Sequence, residues 1–155
     1  MKAASNASPL IYLAKIKRLE LLKELFDEII ITEEVYNEIT AKDSPEVESI
    51  KNCKFLQIRK AKKTLNIGFG LGENAAISSS LEENCILLID DHKAKIFANA
   101  QGIKTLGTLG LLLLALSKRL IGKEEFRGLL SQLVKENFRI SIELYNAMLE
   151  EAEKF

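Results

Sequence analysis

The chain has 155 residues, of which 47% are hydrophobic and 28% are charged. This length supplies one substantial hydrophobic core, and this composition is that of a globular protein, so disordered and collagen-like chains are excluded. Lys and Arg together number 22, as do Asp and Glu, so no chain-wide charge steers the protein to nucleic acid or to an anionic membrane, and any such binding requires a local patch.

Cysteine usage and hydropathy indicate the compartment. Cys53 and Cys85 lie far apart in the sequence, which fits neither a disulfide framework nor a zinc cluster. The N-terminus lacks the continuous apolar segment of a signal peptide, and the longest apolar-rich run, residues 106–116, is shorter than the roughly 20 residues that span a bilayer. We therefore expect a cytoplasmic protein that is neither secreted nor membrane-spanning. A Ser-His-Asp or Cys-His enzyme would have to use His92, the single histidine.

Short β-branched runs alternate with helical periods along most of the chain, which predicts a parallel sheet with helices on its faces. In the N-terminal part, Ser8-Pro9 predicts the start of a helix, and a second helical stretch covers residues 19–26. Residues 29–31 predict a buried strand, after which Thr32 caps the next helix. The segment 43–45 ends that helix and begins a short one.

The middle of the chain is less regular. Residues 55–58 predict a short edge strand, and residues 59–72, with three glycines and four basic residues, predict a mobile loop. After this loop, the pattern predicts in order a helix from Glu73, a strand over 86–89, a helix over 91–98, a strand over 103–106, and helices over 109–116, 126–134 and 141–149. Within these elements, Ser78 to Ser80 are predicted as a helix surface, and Leu144 is predicted to face the core. We expect one domain over residues 1–155, with its C-terminal helices, 123–155, packed on it.

Polar residues follow the predicted strands, where ligands bind in open α/β sheets. They are Asn6, Thr32, Asp90, Asp91 and Thr108. The adjacent carboxylates of Asp90 and Asp91 repel each other, and a divalent cation relieves this repulsion. The alternative, that Asp91 caps the following helix, is compatible with a metal-binding role for the pair.

Further charged residues are candidates for a site at these strand ends. Glu38 and Glu73 occupy helix positions that can project toward them, although each taken alone is also typical of a solvated helix residue. One dense basic cluster is a candidate for binding a polyanionic substrate, and the alternative is a solvated loop. The cluster consists of Arg59, Lys60, Lys62 and Lys63.

The order and spacing of several motifs resemble the PIN-domain superfamily. The resemblance runs through SNASPLIYLAKIKRLELLKELF, IIITEEVYNEI, GLGENAAISSSLEENCILLIDDHKAKIFANAQGIKTLGTLGLLL and NFRISIELYNAMLEEA. More narrowly, SPLI near the start, GE before a helix, the acidic doublet and GTLG resemble an uncharacterised archaeal and bacterial PIN-like subfamily that is VapC-like. The resemblance covers nearly the whole chain and is weakest over residues 43–69.

This resemblance implies a three-layer α/β/α sandwich with a short central parallel sheet of four or five strands. It also implies an acidic site that binds Mg²⁺ or Mn²⁺ and hydrolyses RNA phosphodiesters. The acidic positions of the family fall on Asn6, Glu38, Glu73 and the doublet Asp90-Asp91, and its polar position after the last strand falls on Thr108. Asn6 stands where the family usually has Asp, so the summed charge that attracts a metal is lower.

Three functions are compared on this basis. The first is a metal-dependent ribonuclease, including the toxin of a pair whose partner is an antitoxin protein. The second is a catalytically weak or inactive PIN-like module that binds RNA or a protein. The third, a flavodoxin-like phosphoacceptor, is set aside because its acidic doublet would follow the first strand. We also expect a homodimer, since the C-terminal half carries more apolar helix faces than a thin sheet can cover, unless these helices close over one another.

Overall fold

A five-stranded, all-parallel sheet forms the centre of the protein, and the computed structural model describes residues 1–155. The strands are β1 (Lys2–Ser5), β2 (Glu28–Thr32), β3 (Leu56–Arg59), β4 (Ile86–Leu88) and β5 (Thr105–Leu106). Their order across the sheet is β3-β2-β1-β4-β5. The central strand is therefore β1, and its residue Ala4 lies opposite Ile30 of β2 and Leu87 of β4. As predicted, β3 is at an edge.

Nine helices connect and cover the strands. They are α1 (Ala7–Lys15), α2 (Leu21–Leu25), α3 (Glu33–Thr40), α4 (Pro45–Lys51), α5 (Leu71–Glu83), α6 (His92–Ala100), α7 (Thr108–Ser117), α8 (Lys123–Lys135) and α9 (Ile142–Ala152). The chain runs outward from β1 to β3 and then returns to β4. Because parallel crossovers are right-handed, the helices before and after this reversal cover opposite faces of the sheet. No helix is both long enough and apolar enough to cross a bilayer.

Contacts between the elements confirm the predicted α/β architecture. On one side, α5 packs against β1, β2 and β4. On the other, α1 packs against α3, α4 and α7, while α8 and α9 pack against α7 and against each other. The strand segments 29–31 and 87–89 are at most 1% exposed. Their uninterrupted apolar sequences are explained by this burial on both faces of the sheet.

Serine or threonine side chains cap three of the helices, and the cap predicted at Thr32 is confirmed. The hydroxyl groups of Thr32, Ser44 and Ser141 each accept a hydrogen bond from the amide three residues later, at 3.0–3.2 Å. Each bond satisfies an amide that the first turn of the helix leaves free. At α1 the helix begins before Ser8-Pro9, with Asn6 as its N-cap residue and no side-chain bond from Asn6 to the helix.

Two predictions about helix faces are wrong. The side chains of Ser78, Ser79 and Ser80 are buried, at most 5% exposed, because α5 is covered by the sheet and α3 as well as by the segment that precedes it. The hydroxyl of Ser78 accepts a hydrogen bond from the amide of Leu65 at 2.9 Å. A buried polar side chain is therefore satisfied at this position. Leu144 is 42% exposed, because the packing of α9 against α7 and α8 covers this side chain only in part.

Candidate active site

The site lies where the neighbouring strands β1 and β4 end. The chain leaves the sheet in opposite directions on the two sides of this point, which is the place where open α/β sheets bind ligands. Asn6 directly follows β1, and Asp90 lies two residues after the end of β4. The amide of Asn6 donates a hydrogen bond to the carbonyl of Leu88 at 2.9 Å, which fixes the backbone at this position.

The carboxylate of Asp90 accepts three hydrogen bonds from the chain. The amide and the hydroxyl of Thr108 donate two of them, each at 2.7 Å, and the hydroxyl of Ser8 donates the third at 2.7 Å. Thr108 begins α7, where the helix dipole favours a negative charge. Asp90 therefore fastens the start of α7 and the first turn of α1 to the end of β4.

The two members of the acidic doublet have different environments. Asp91 is exposed and caps α6, because its Oδ1 accepts a hydrogen bond from the amide of Ala94 at 2.8 Å. The structure thus gives Asp91 the capping role that the sequence left as an alternative, and only Asp90 turns to the corner between α1 and α7. The neighbouring His92 is exposed as the first residue of α6.

A second corner forms around Gly72, in the first turn of α5. A Cβ atom on Gly72 would overlap Oε2 of Glu38 and would lie 3.5 Å from Oδ1 of Asn6. Glycine is therefore needed for these two oxygens to face the same space. Glu73 follows directly, with its Oε2 lying 2.7 Å from the position that a Cβ of Gly70 would occupy. The structure thus brings Asn6 close to Glu38, and Glu73 lies near enough to Glu38 for its charge to raise the pKa of that carboxyl.

The electrostatics of this corner are unfavourable in the absence of a ligand. Desolvation raises the pKa of the Glu38 carboxyl, and the negative charge of Glu73 raises it further. Asn6 is only 5% exposed, and its Oδ1 has no hydrogen-bond partner. Because buried acceptors are nearly always satisfied, this oxygen faces a position where a donor or a cation is expected.

The donor set of the corner fits a hard cation. No three His, Cys, Asp or Glu side chains are gathered closely enough to chelate a metal ion on their own. Mg²⁺, however, is usually held by one or two carboxylates, while water and substrate phosphates complete its shell. Two carboxylates and an amide oxygen therefore fit Mg²⁺ or Mn²⁺, whereas the nitrogen and sulfur ligands that Zn²⁺ prefers are missing.

The structure does not bring Arg59 to these acids. Its guanidinium forms ion pairs with Glu28 and, at 3.0 Å, with Glu83. Glu83 lies ten residues after Glu73 along α5, which corresponds to about 15 Å of helix. The charge of Arg59 is thus already paired, at the far end of α5, and the sequence could not reveal these pairs because they join three separate elements.

The rest of the basic cluster lies along the same end of α5. The amides of Lys62 and Lys63 donate hydrogen bonds to the carboxylate of Glu82, at 3.3 and 2.9 Å. The side chains of these lysines and of Lys60 are exposed and form no ion pair within 4 Å. Their charges are available, but any contact that they make with a substrate would be remote from Glu73.

Sequence reasoning missed Lys95 as a neighbour of Asp90. A Cβ atom on Gly107 would lie 2.7 Å from the ammonium of Lys95 and 2.8 Å from Oδ1 of Asp90. Lys95 is half-buried and has no carboxylate within 4 Å, so its charge is not paired. The sequence did offer one signal, because Lys95 follows Asp91 by four residues and so lies one helical turn into α6, on the side of the acidic doublet.

Glu34 was also missed, although it precedes Glu38 by one helical turn. A cavity of about 480 Å³ between α3 and the start of α5 is lined by both residues and by Glu73. Oε2 of Glu34 is buried and has no hydrogen-bond partner. The spacing of four residues from Glu38 could have revealed this neighbour, since such residues share one face of a helix.

Comparison with known proteins covers nearly the whole chain. A family model described as a PIN domain matches residues 2–154. These residues include every strand and helix that borders the two corners. No curated protein matches the chain.

Proposed function

Because the chain belongs to the PIN-domain family, whose fold is of the nuclease type, we propose that it is a metal-dependent ribonuclease that hydrolyses RNA phosphodiesters. PIN domains generally use divalent metal ions and commonly bind RNA. The observation that best supports the proposal is Oδ1 of Asn6, a buried oxygen without a partner that faces the carboxylate of Glu38 across Gly72. A cation at this point would satisfy the amide oxygen and offset the charges of Glu38 and Glu73.

The proposed roles follow from these contacts. Glu38 and Glu73 would hold Mg²⁺ or Mn²⁺, and Asn6 would offer a neutral oxygen. When bound, such an ion supplies activation of water and neutralisation of the charge that grows on the phosphate. Asp90 is a positioning residue in this scheme, since it holds the starts of α1 and α7 on either side of the substrate. Asp91 acts as the cap of α6.

Substrate binding is assigned to two groups of cations. Lys95 lies beside Asp90 without a paired carboxylate, so it is placed to contact a phosphate near the reacting bond. Lys60, Lys62 and Lys63 would contact RNA that extends along α5. Such contacts offset the repulsion between a polyanion and the acidic pocket. Thr108 is fully buried and its hydroxyl is bonded to Asp90, so it would position that carboxylate rather than touch the substrate.

Cleavage of a mixed RNA substrate tests the proposal. The protein is purified free of host nucleases and incubated with RNA in Mg²⁺, in Mn²⁺ and in a chelator. Glu38→Gln, purified in parallel, removes one proposed ligand charge without changing the shape of the side chain. We expect metal-dependent cleavage by the natural protein that the variant largely loses. Equal cleavage by both proteins would assign the activity to a contaminant and contradict the proposal.

Asn6 favours one alternative, a catalytically weak or inactive module that binds RNA or a protein. An amide oxygen can coordinate a cation but supplies no negative charge to attract it. If the protein is a weak nuclease, Asn6→Asp should cleave RNA faster at limiting Mg²⁺. If it is a binding module, the same change should strengthen metal binding without producing cleavage.

We also propose that two copies of the chain associate through α8 and α9. The exposed apolar side chains of Val134, Ile142 and Leu144 lie on these helices. A cavity of about 320 Å³ between the two helices is lined by Val134, Ile142 and other apolar residues. Surplus apolar surface of this kind marks interfaces. Sedimentation at high micromolar concentration is expected to show a dimer, and a monomer would contradict this assignment.

The cellular role follows from the same reasoning. We propose that the nuclease is the toxin of a toxin–antitoxin pair and acts in the cytoplasm. Free thiols at Cys53 and Cys85 are consistent with a reducing compartment. Expression of the natural protein should then arrest growth of a host cell, whereas expression of Glu38→Gln should not.

A further inference from the structure

The segment 60–70, which joins β3 to α5, contains no helix or strand, and side chains of α5 bind its backbone. Three of them accept hydrogen bonds from it, and they are Asn74, Ser78 and Glu82. Because successive members are four residues apart, they share one face of the helix. The bonds are 2.9–3.3 Å long and come from the amides of Lys62, Lys63, Leu65 and Phe69.

The carboxylate of Glu82 lies among lysines with which it does not pair. Its two oxygens accept hydrogen bonds from the amides of Lys62 and Lys63. No ammonium group lies within 4 Å of these oxygens, although both lysines and Lys60 are exposed. The carboxylate therefore fixes the backbone of two adjacent lysines and leaves their charges free for a ligand.

The rest of the segment is held independently of Glu82. The hydroxyl of Ser78 donates a hydrogen bond to the carbonyl of Asn74 at 2.7 Å, so its oxygen is free to accept one from the segment. The ring of Phe69 packs edge-on against that of Phe97 in α6, with centroids 5.8 Å apart. Loss of the bonds to Glu82 should thus release the lysines at the start of the segment without detaching the remainder.

Glu82 has two opposing effects on the binding of a polyanion. Its negative charge repels phosphates, but solvent and salt screen an exposed charge strongly. Its hydrogen bonds order the backbone that carries Lys62 and Lys63, so less conformational entropy is lost when these side chains contact a phosphate. Screening does not reduce this second effect, and it should therefore prevail.

We infer that Glu82 is a positioning residue for RNA, which holds Lys62 and Lys63 where their ammonium groups contact phosphates of a single strand along α5. The inference rests on the proposed function, because RNA is the substrate that it assigns. It gives an acidic residue a favourable role in binding a polyanion, which is the opposite of what its charge alone would produce.

Binding of a fluorescent oligouridylate, in a chelator and at one fixed salt concentration, tests the inference. Glu82→Gln keeps the shape of the side chain but only one of its two acceptor oxygens. We expect it to bind the RNA about fivefold more weakly than the natural protein, although it carries one negative charge less. Glu33→Gln is the control, because Glu33 is exposed and its side chain has no partner.

The control loses the same charge without loss of a hydrogen bond, so it should bind the RNA equally well or up to about twofold more tightly. If Glu82→Gln also binds equally well or more tightly, Glu82 is a repelling surface charge, and the inference is overturned. The proposed function is decided separately, by metal-dependent cleavage of RNA by the natural protein.

A double-mutant comparison separates positioning from damage to the fold. In a protein that carries Lys62→Gln and Lys63→Gln, adding Glu82→Gln should change the affinity by less than about twofold, because the side chains through which Glu82 acts are gone. A fivefold loss in this background as well would show general damage and overturn the inference. Unchanged RNA binding on replacement of the two lysines would overturn it too.

Discussion

Asp90 and Glu38 are two carboxylates near the same strand ends, and they differ in the number of hydrogen-bond donors that the chain offers them. Asp90 accepts three hydrogen bonds at 2.7 Å from Thr108 and Ser8. Glu38 has no such bonds, and it faces an amide oxygen without a partner and a second glutamate. The chain thus satisfies the carboxylate of Asp90, in what we call the completed corner between α1 and α7. It leaves the carboxylate of Glu38 without donors, in what we call the incomplete corner around Gly72.

This difference teaches that acidity alone does not identify a ligand-binding residue. A carboxylate whose oxygens are saturated by protein donors contributes to the fold, and replacing it is expected to cost stability. A carboxylate with desolvation, a like charge and no donors destabilises the folded chain until a cation arrives. The comparison therefore predicts opposite effects on stability for substitutions at the two corners.

The largest expected effect is on activity, at the incomplete corner. Glu38→Gln should reduce metal-dependent RNA cleavage by about 100-fold, because it removes a charge that the ion needs. The folded state should remain intact, as judged by circular dichroism. Cleavage rates at saturating Mn²⁺ measure the effect, and a loss of less than about threefold would break the contrast with Asp90.

The next effect is on stability, at the completed corner. Asp90→Ala should lower the free energy of unfolding by about 2–3 kcal/mol, because it leaves the donors of Thr108 and Ser8 without their acceptor. Asp91→Ala is the matched control and should cost about 1 kcal/mol, the usual contribution of a helix cap. Urea denaturation of both variants checks the order. A greater loss in Asp91→Ala would show that Asp90 does not fasten the corner.

A smaller effect is expected for the cation beside the completed corner. Lys95→Gln should weaken binding of a fluorescent single-stranded RNA about fivefold in a chelator, and it should reduce the slope of affinity against salt by about one. Lys93→Gln, an exposed residue of the same helix, is the control. Lys95→Arg should retain binding. If the two glutamine variants bind equally, Lys95 is not a phosphate contact.

The smallest effect is a pH dependence at the incomplete corner. Because the pKa of Glu38 is raised in the folded state, the unfolded chain loses this proton first as the pH rises. The free energy of unfolding therefore falls between the ordinary pKa and the raised pKa of this carboxyl. The difference between natural protein and Glu38→Gln, without metal, should be less than about 0.5 kcal/mol because Glu38 is partly exposed. Titration of stability from pH 4 to about 8 measures it, and no change in this difference would contradict the raised pKa.

Much of the fold could be predicted from local patterns. Uninterrupted apolar strands, such as residues 29–31, report burial on both faces, and the caps Thr32, Ser44 and Ser141 act within three residues of their own position. Parallel strands end at a common edge, so the polar residues that follow them were recognisable as neighbours. These signals are local in sequence, and they need no knowledge of how distant elements pack.

The details of the site depend on contacts between distant elements. The sequence could not distinguish Asp90 from Asp91, because the choice depends on Thr108 and Ser8, which belong to other elements. The pairing of Arg59 with Glu83 and the approach of Lys95 to Asp90 have the same origin. In the sequence, Glu34 is one of several acids on α3. Its buried oxygen and the cavity that it shares with Glu38 depend on how α3 packs against α5.

The attachment of residue 6 has an evolutionary consequence. Its backbone amide is bonded to β4, while its side-chain oxygen is bonded to nothing in the chain. The oxygen takes no part in the hydrogen bonds of the fold, so selection can exchange the side chain for one of the same shape without repacking the core. Codons for asparagine and aspartate differ by one base. A single transition in the gene can therefore add or remove a negative charge beside Glu38 without breaking a hydrogen bond of the scaffold.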